Sequence, residues 1–497
     1  MYPSSVCPSQ EKSNPMKRNI SRRDLLKASA IGGAGVLLVA CGATPTPQTI
    51  VVTKEVIKEV QTTVQVQVTK QVNVEVTKEV QVQVTADPKA GPQTINVWGS
   101  GLDLTQMEKD PAGLGAALLA HKNLFLKKHP NAKVVWEDHG WDEVLRQNIV
   151  SALLAGTQPD AIVGENFFQQ YAALKALLPI DDVTPPEIKD NAILGTHKAA
   201  IYDGKNYGFS WISGCFGFEV NPNVLKSAGL KEEIPATWDD LLQASKAVTE
   251  KTGGKAYGYT LQGPLGFSVG GMFRLAVYMQ QVGVTLNRAD KVDQPYFNDP
   301  KGEQVWQFVR KILPYTPPGL VFEPDEGKVY TQLFAGKSAA QMAGSWHVGW
   351  AKDNKLTNAM YGAVPIPAGG KPASYVVGNV IYGAMAATKV PDLAKDWVIT
   401  SQDDSVQMIV FKSTKRMCST KSAMEALLKG TDADDATKQY GKLLRDSDLG
   451  VLPQWTKEPN KLNGIWNDLF TAVLTTQTDV KQLMDEAQKK AEDLLKA

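Results

Sequence analysis

The sequence contains few cysteines and histidines, and it has no excess of charge of either sign. Only 4 Cys and 5 His occur among 497 residues, and 53 Lys and Arg nearly balance 52 Asp and Glu. A balanced chain offers no broad positive field for nucleic acid, so we expect no nucleic-acid partner. The histidines are scattered and no pair has the spacing of metal ligands, so we expect no metal and no cofactor.

Long apolar runs are absent from the sequence beyond residue 40. No later stretch reaches the roughly 18 apolar residues that a transmembrane helix needs. Residues 41–497 are numerous enough for two lobes, each with its own hydrophobic core. We therefore expect a large folded body without transmembrane helices.

The first 40 residues have the layout of an export signal. A basic region containing Arg22 and Arg23 precedes an apolar stretch, residues 28–40, that is too short to span a bilayer. The paired arginines, with Leu26 and Lys27, resemble a twin-arginine signal, whose pathway carries folded proteins. The alternative is an ordinary secretory signal in which the two arginines occur by chance.

Cys41 stands at the end of the apolar stretch, in the run Leu-Val-Ala-Cys-Gly at residues 38–42. This run resembles the lipobox of bacterial lipoproteins, in which the cysteine sulfur carries a diacylglycerol. We expect the mature chain to begin at Cys41 and to be anchored by lipid to the outer face of the cytoplasmic membrane, since two or three acyl chains anchor a protein stably. The alternative is a signal peptide with an incidental cysteine.

Residues 41–92 form a segment of different composition, rich in Val-Thr-Lys-Glu-Val and Val-Gln-Val phrases and free of aromatic residues. Alternating valines favour an extended chain, whereas the spacing of residues 52, 56, 60 and 64 would suit a helical stripe of a mediocre helix former. We favour an extended or weakly self-associating stalk that lifts the body off the membrane.

Two cysteines, Cys215 and Cys418, remain in the body after the predicted leader and lipid attachment site are set aside. An exported protein can form a disulfide between them, since disulfides persist outside the cell. Two cysteines far apart in a large body are a weak disulfide signal, so we favour two buried thiols.

The body alternates short β runs with helical periodicity. Strands are predicted near residues 94–98, 133–137 and 159–163, with helices at 114–128 and 141–155 between them. This β-α-β-α-β order predicts a parallel sheet with crossover helices.

The second half of the body carries further local signals. Thr237 is a predicted N-cap for a helix that ends at residues 253–254, and a strand is expected at 257–261. The last predicted helix is amphipathic, with apolar residues from Val480 to Leu494. The body is therefore expected to be α/β throughout.

Several phrases, in this order, resemble the family 1 extracellular solute-binding proteins of bacterial ABC importers, the sugar-binding group that contains maltose-binding protein. They lie at residues 155–160, 177–181, 203–208, 221–238, 334–346 and 366–370. Each phrase alone is weak, but the ordered set is specific and covers about residues 93–497. The resemblance implies a type II periplasmic-binding-protein-like fold, in which two α/β lobes surround a hinge and a ligand cleft.

The resemblance also implies a division of the chain. We expect a signal peptide at 1–40, a lipidated N-terminus and stalk at 41–92, lobe 1 at 93–214 and 376–428, and lobe 2 at 215–375 and 429–497. It further implies a solute clamped between the lobes, two permease subunits as partners and no catalysis.

Candidate solute ligands are sought where strands end, because open α/β sheets bind ligands beyond the carboxyl ends of their strands. The expected ligand-binding residues are Trp98, Ser100, Glu165, Asn166, Trp211, Ser213, Ser345, Trp346, Gly378, Asn379, Trp455 and Trp466. Indole faces stack on sugar rings while carboxylates and amides bind hydroxyls. The resemblance places Trp346 and Trp466 at sugar-stacking positions. The alternative for each tryptophan is core packing, which we assign to Trp136 and Trp238.

Other functions remain open at this point. The same architecture binds non-sugar solutes such as polyol phosphates, polyamines or amino acid derivatives, and a sensory lipoprotein without a transporter is a further alternative. Gly-Phe-Ser-Val-Gly at residues 266–270 matches the nucleophile elbow of serine hydrolases, but residues 263–264 interrupt the strand that the elbow needs. Residues 213–215 also lack the acidic sugar ligand of the family's maltose-binding member, for which Glu165 is a candidate replacement.

Overall fold

The computed structural model describes residues 93–99, 108, 113–140, 142–164, 168–264, 272–288, 294–375, 380–453 and 455–496. Arg22, Arg23, Cys41 and the predicted stalk lie outside these ranges, so the expectations about export, lipidation and reach stay predictions.

The strands, in chain order, are β1 (Gln93–Gly99), β2 (Ala132–Asp138), β3 (Ala161–Gly164), β4 (Ile201–Tyr202), β5 (Lys205–Asn206), β6 (Phe209–Ile212), β7 (Phe216–Val220), β8 (Tyr257–Thr260), β9 (Ser338–Gly344), β10 (Met360–Gly362), β11 (Ala373–Tyr375), β12 (Val380–Ala384) and β13 (Asp448–Gly450). The helices are α1 (Leu114–Lys128), α2 (Asp142–Ala155), α3 (Phe168–Ala173), α4 (Pro186–Asn191), α5 (Leu194–His197), α6 (Pro222–Ser227), α7 (Trp238–Lys251), α8 (Met272–Gln281), α9 (Glu303–Ile312), α10 (Glu326–Phe334), α11 (His347–Asp353), α12 (Pro391–Thr400), α13 (Asp404–Thr414), α14 (Lys421–Lys429), α15 (Asp435–Asp446), α16 (Pro459–Thr475) and α17 (Val480–Lys496).

Lobe 1 is built on a five-stranded sheet in the order β2-β1-β3-β12-β6. The predicted parallel pairing is confirmed for β1 with β2 and with β3, whereas β12 pairs antiparallel with both β3 and β6. Ile95 and Val97 alternate along β1 with more exposed residues and are fully buried in the lobe 1 core. The sheet is therefore mixed, because a strand that returns from lobe 2 enters it in the opposite direction.

Lobe 2 is built on a four-stranded sheet in the order β10-β7-β9-β8. β8 and β9 run parallel, and β7 is antiparallel to β9 and β10. All residues of β9 are buried, as expected for a central strand that is covered on both faces. Helices α7, α8, α9, α16 and α17 contribute to the large core of this lobe.

The chain passes from lobe 1 to lobe 2 between β6 and β7, and the expected boundary at 214/215 lies in this short connection. A third group of buried residues, here called the crossing cluster, lies near it and includes Cys215, Phe411, Met417, Cys418 and Tyr440. Helices α14 and α15 both pack in this cluster. The expected boundary at 428/429 therefore falls inside one packed unit.

Local signals fixed several element boundaries. Helix α1 spans Leu114–Lys128 as predicted. The Thr237 hydroxyl accepts a hydrogen bond from the Asp240 amide at 3.1 Å, and the Asp240 carboxylate accepts from the Thr237 amide at 3.0 Å. This capping box confirms the predicted start of α7. Gly156, after α2, has a φ of +70°, which favours glycine at a helix C-terminus.

Within the described ranges, no helix combines the length and apolar character needed to cross a membrane. Cys215 and Cys418 are both buried free thiols, which confirms the preference for two separate cysteines over a disulfide. Burial raises the pKa of each thiol to about 12, so both remain protonated near neutral pH.

Candidate functional site

Trp346 lies where β9 ends and α11 begins, at the carboxyl end of a lobe 2 strand, and is half-buried. Its indole covers Gly344, where a Cβ atom would stand only 2.1 Å from Cζ3 of the indole. Glycine at position 344 therefore allows the ring to lie against the strand end. The guanidinium carbon of Arg416 is 5.8 Å from the indole centroid, within cation–π range.

His347, the residue after Trp346, makes a fully buried contact with Glu219 of β7. Nδ1 of His347 is 3.1 Å from Oε2 of Glu219, and Nε2 of Gln341 donates to the same oxygen at 2.8 Å. Glu219 and His347 have no exposed side-chain surface. Because an unpaired buried charge is costly, these bonds hold the first residue of α11 against β7 and β9.

The Glu219 carboxylate also acts on the tyrosines around it. Burial is the main cause that raises the pKa of Tyr361 and of Tyr440 well above the usual value, and the nearby negative charge of Glu219 raises both further. The Tyr440 hydroxyl donates to the Ala343 carbonyl at 3.0 Å. These phenols therefore stay protonated and support the strand end that carries Trp346.

Trp98 lies at the corresponding place in lobe 1, near the carboxyl end of β1, and is also half-buried. The imidazole of His139 stacks on its indole, with 3.6 Å between ring centroids and 18° between planes. Nε2 of His139 lies 3.1 Å from a Glu137 carboxylate oxygen. The backbone carbonyl of His139 accepts a hydrogen bond from Nδ2 of Asn148 at 3.1 Å. One face of the Trp98 indole is thus fixed by residues of β2 and α2.

The packing of Trp211 opposes the expectation that it binds solute, which stays a prediction. Its side chain is 2% exposed and belongs to the lobe 1 core, where it packs against Tyr382 and His121. A tryptophan enclosed by core aromatics has no surface to offer a solute.

Trp455 and Trp466 are buried in the same way, and their roles as solute ligands likewise stay predictions. Trp455 is 1% exposed and its indole nitrogen donates to Oδ1 of Asn287 at 2.8 Å. Trp466 is fully buried in the lobe 2 core, with its ring centroid 5.0 Å from that of Trp306. The core assignments of Trp136 and Trp238 are confirmed, since they are 8% and 6% exposed.

Ser213 is a structural residue of the lobe crossing. It is fully buried, its backbone pairs with Met417, and its hydroxyl lies 2.9 Å from that of Ser210. These contacts oppose the expectation that it binds solute. Ser345 is 1% exposed and its hydroxyl has no hydrogen-bond partner among the described residues, so its role stays a prediction.

The other expected ligands, Ser100, Glu165, Asn166, Gly378 and Asn379, lie outside the described residues, as does Ser268 of the hydrolase-like motif. Sequence reasoning missed His139 and Arg416. His139 directly follows β2, so the rule that pointed to Trp98 would also have found it. Arg416 follows α13 and directly precedes Met417, which pairs with Ser213 at the lobe crossing, and no local sequence signal marks it.

Comparison with known proteins identifies the class. The family model for bacterial extracellular solute-binding proteins matches residues 106–408, which is more than half of the chain. The chain therefore belongs to the bacterial extracellular solute-binding protein family, and its two lobes form the type II periplasmic-binding-protein fold.

Curated relatives support this assignment over different lengths. The chain is 30% identical over 143 residues to a binding protein of Brucella abortus, and this match covers 29% of the chain but only 34% of the relative. The chain thus spans about a third of the Brucella relatives that it matches. It is 23% identical over 350 residues to the diacetylchitobiose binding protein DasA of Streptomyces coelicolor, covering 69% of the chain and 78% of DasA.

Solved structures agree on the fold. The cyclic alpha-maltosyl-1,6-maltose binding protein of Arthrobacter globiformis superposes with a TM-score of 0.67 at 19% identity, covering 82% of this chain and all of that one. The GacH receptor of Streptomyces glaucescens superposes with a TM-score of 0.63 at 19% identity, covering 81% of this chain and 98% of the receptor chain.

Proposed function

We propose that this protein captures a carbohydrate between its two lobes and delivers it to an ABC permease, without chemical change of the solute. The observation that carries the proposal is the pair of half-buried indoles, Trp98 and Trp346, near the carboxyl ends of β1 and β9. Ligands of open α/β sheets bind beyond these strand ends, and an indole face suits the apolar face of a sugar ring.

The names of similar proteins support the solute class. Relatives and structural neighbours are described as binding diacetylchitobiose, arabinooligosaccharide, acarbose and cyclic or linear oligosaccharides. A cleft that closes by hinge motion excludes water around such a polar solute and strengthens each hydrogen bond.

Capture without catalysis fits the neighbourhood of Trp346. The hydrolase alternative needs a histidine that can act on Ser268, and His347 is the only histidine that follows it in the sequence. The imidazole of His347 is fully buried and its Nδ1 is engaged with Glu219. A base enclosed in this way is not available to a substrate, which favours binding alone.

Export and anchoring complete the proposal. The family is extracellular, which agrees with an exported chain. Lipidation at Cys41 would hold the protein to the outer face of the cytoplasmic membrane, where a captured solute is released to a permease in the same membrane. The segment 42–92 would then set the distance between anchor and body.

A thermal-unfolding screen tests the proposal. The solutes are N,N′-diacetylchitobiose, arabino-oligosaccharides, maltotriose and mannobiose, with a polyamine, an amino acid mixture and a polyol phosphate as non-sugar solutes. A ligand that binds only the native state raises the melting temperature in proportion to the logarithm of its concentration. A rise with a sugar supports the proposal, and a rise with only non-sugar solutes contradicts it.

Paired substitutions then test the site. Trp346→Leu keeps an apolar side chain but removes the aromatic face, whereas Trp346→Tyr keeps an aromatic face. Affinity for the stabilising sugar is expected to fall about three- to tenfold for Leu and less for Tyr, since such stacking is worth about 1 kcal/mol. Equal affinities for the two variants would remove Trp346 from the site.

One observation favours an anionic solute as the second candidate. The Arg416 guanidinium beside Trp346 puts a positive charge within reach of whatever covers the indole. Uronic-acid oligosaccharides and the polyol phosphate test this candidate. A preference for them that disappears in Arg416→Gln would establish the anionic class.

A further inference from the structure

One hydrogen bond joins the two lobes away from the aromatic residues. Nη2 of Arg146, on α2 of lobe 1, donates to Oδ1 of Asn460, on α16 of lobe 2, at 3.1 Å. Arg146 is only 8% exposed, although Asn460 is exposed. A guanidinium from one lobe is therefore largely covered at a contact with the other.

Both partners belong to firmly packed helices. Leu145 and Ile149, which flank Arg146 on α2, are buried in a lobe 1 cluster. Leu462 and Trp466, which follow Asn460 on α16, are fully buried in the lobe 2 core. The bond consequently connects two helices that are each packed into the core of a different lobe, so its length depends on how the lobes are placed.

The N-terminal end of α16 has no electrostatic preference for the Arg146 guanidinium that contacts it. Its N-terminus, like that of any helix, favours negative charge. The charged residues of its first turn and of the segment before it are Lys457, Glu458 and Lys461, and Glu458 pairs with Lys461 at 3.0 Å. The contact that Arg146 makes with this end of α16 is a hydrogen bond to the side-chain oxygen of Asn460.

A second, apolar contact joins the same regions. Val451, which follows β13, packs against both the lobe 1 cluster of α2 and the crossing cluster. Lys198, just after α5 of lobe 1, also donates from Nζ to the Leu449 carbonyl of β13 at 2.7 Å. The Arg146–Asn460 bond is thus the outer member of a contact zone that runs from the lobe crossing.

The contact zone is connected to the candidate solute site. Asn148, two residues from Arg146 on α2, donates to the carbonyl of His139, whose ring stacks on Trp98. Movement of α2 relative to lobe 2 therefore changes the position of the Trp98 indole relative to Trp346.

We infer that Arg146 and Asn460 form a closure latch, a contact between the lobes that sets how tightly and how long the solute is held without touching it. The inference rests on the proposed function, since the latch acts on solute that lies between the lobes. A ligand is retained in proportion to the population of the closed state, so a bond that exists only when the lobes meet slows dissociation.

The size of the effect follows from the type of bond. Loss of a hydrogen bond to a charged group at a partly covered site is expected to weaken binding about five- to tenfold, mainly through faster dissociation. Asn460→Asp is expected to tighten binding about threefold or more, because a carboxylate pairs with Arg146 and also suits the N-terminus of α16.

The experiment measures affinity and dissociation rate for the sugar that stabilises the wild-type protein. The variants are Arg146→Ala, Asn460→Ala, their combination and Asn460→Asp. The two single losses should not add, since either change removes the same bond, and the gain from Asn460→Asp should vanish in the Arg146→Ala background. Arg445→Ala and Asn358→Ala, whose partners Asp446 and Asn223 lie in the same element or lobe, are the matched controls and should bind like wild type.

Wild-type affinity in Arg146→Ala and Asn460→Ala would overturn the latch while leaving carbohydrate capture intact. Small-angle X-ray scattering gives a readout that does not need a ligand. If no sugar binds, the proposed function fails, and the latch is judged on solute-free protein. A larger radius of gyration for Arg146→Ala than for wild type then supports it, and equal radii overturn it.

Discussion

The imidazole of His139 lies parallel to the indole of Trp98, with ring centroids 3.6 Å apart, at the edge where β1 and β2 of lobe 1 end. The stack covers one face of the indole and leaves its orientation dependent on β2 and α2. The Asn148 side chain of α2 donates to the His139 carbonyl and so ties the ring pair to this helix.

Replacing His139 tests whether this stack prepares Trp98 for a solute. His139→Ala removes the supporting ring and is expected to lower affinity for the stabilising sugar about three- to tenfold, since a stacked aromatic pair contributes about 1 kcal/mol. His139→Phe keeps a planar ring and should retain most of the affinity. Titration calorimetry distinguishes them, and equal losses for Ala and Phe would point to the Glu137 contact instead of stacking.

Gly344 gives a second test, because the Trp346 indole lies over it. Gly344→Ala places a Cβ about where the ring stands, with Cζ3 at 2.1 Å, so the indole must move. We expect at least tenfold weaker sugar binding in titration calorimetry. The matched change Gly349→Ala meets no atom within 4 Å and lies inside α11, so it should bind normally and be about 0.5–1 kcal/mol more stable.

Features that depend on residues close together in the chain could be predicted from the sequence, whereas features that depend on distant segments could not. The capping box of Thr237 and the ends of α1 are set by neighbours in the chain, and both were predicted. The parallel pairing around β1 followed from element order. The antiparallel entry of β12 depends on where a distant segment returns, and no local pattern shows it.

The tryptophans show the same division within the candidate site. Trp466 shares a helical stripe with Leu462, Leu469, Phe470 and Val473, a spacing that indicates a core position. Trp211 belongs to a strand in which all four residues are buried, so alternation gives no information on its direction. Trp98 and Trp346 differ because each stands at or near the end of a strand.

The buried histidines predict how stability depends on pH. Burial is the main cause that lowers the pKa of both His121 and His197 to about 3, so both are neutral in the folded protein. The unfolded chain binds these protons near pH 6.5, so stability is complete above that value and is lost as pH falls towards 3. When the pH falls from 7 to 5, each of these histidines should lower the free energy of unfolding by about 2 kcal/mol.

Denaturant unfolding at several pH values checks this dependence. His121→Gln cannot titrate, and it should remove about half of the combined slope below pH 6.5 even if it lowers stability at pH 7. His129, which is partly exposed and pairs with Asp396 at 2.6 Å, provides a control substitution to Gln that should leave the slope from the two buried histidines in place. An unchanged slope in His121→Gln would show that His121 does not contribute to the acid sensitivity.

Export provides the last prediction, and it separates two routes that deliver the same protein. The twin-arginine route requires both arginines, so replacing Arg22 and Arg23 with Lys, which preserves charge, should leave precursor inside the cell. Secretion of the double variant at the normal level would assign the chain to the ordinary secretory route. Cys41→Ser is the companion change, and it should abolish attachment of the predicted acyl chains. Metabolic labelling with a fatty acid reads out the lipid directly, and label retained by Cys41→Ser would place the anchor elsewhere.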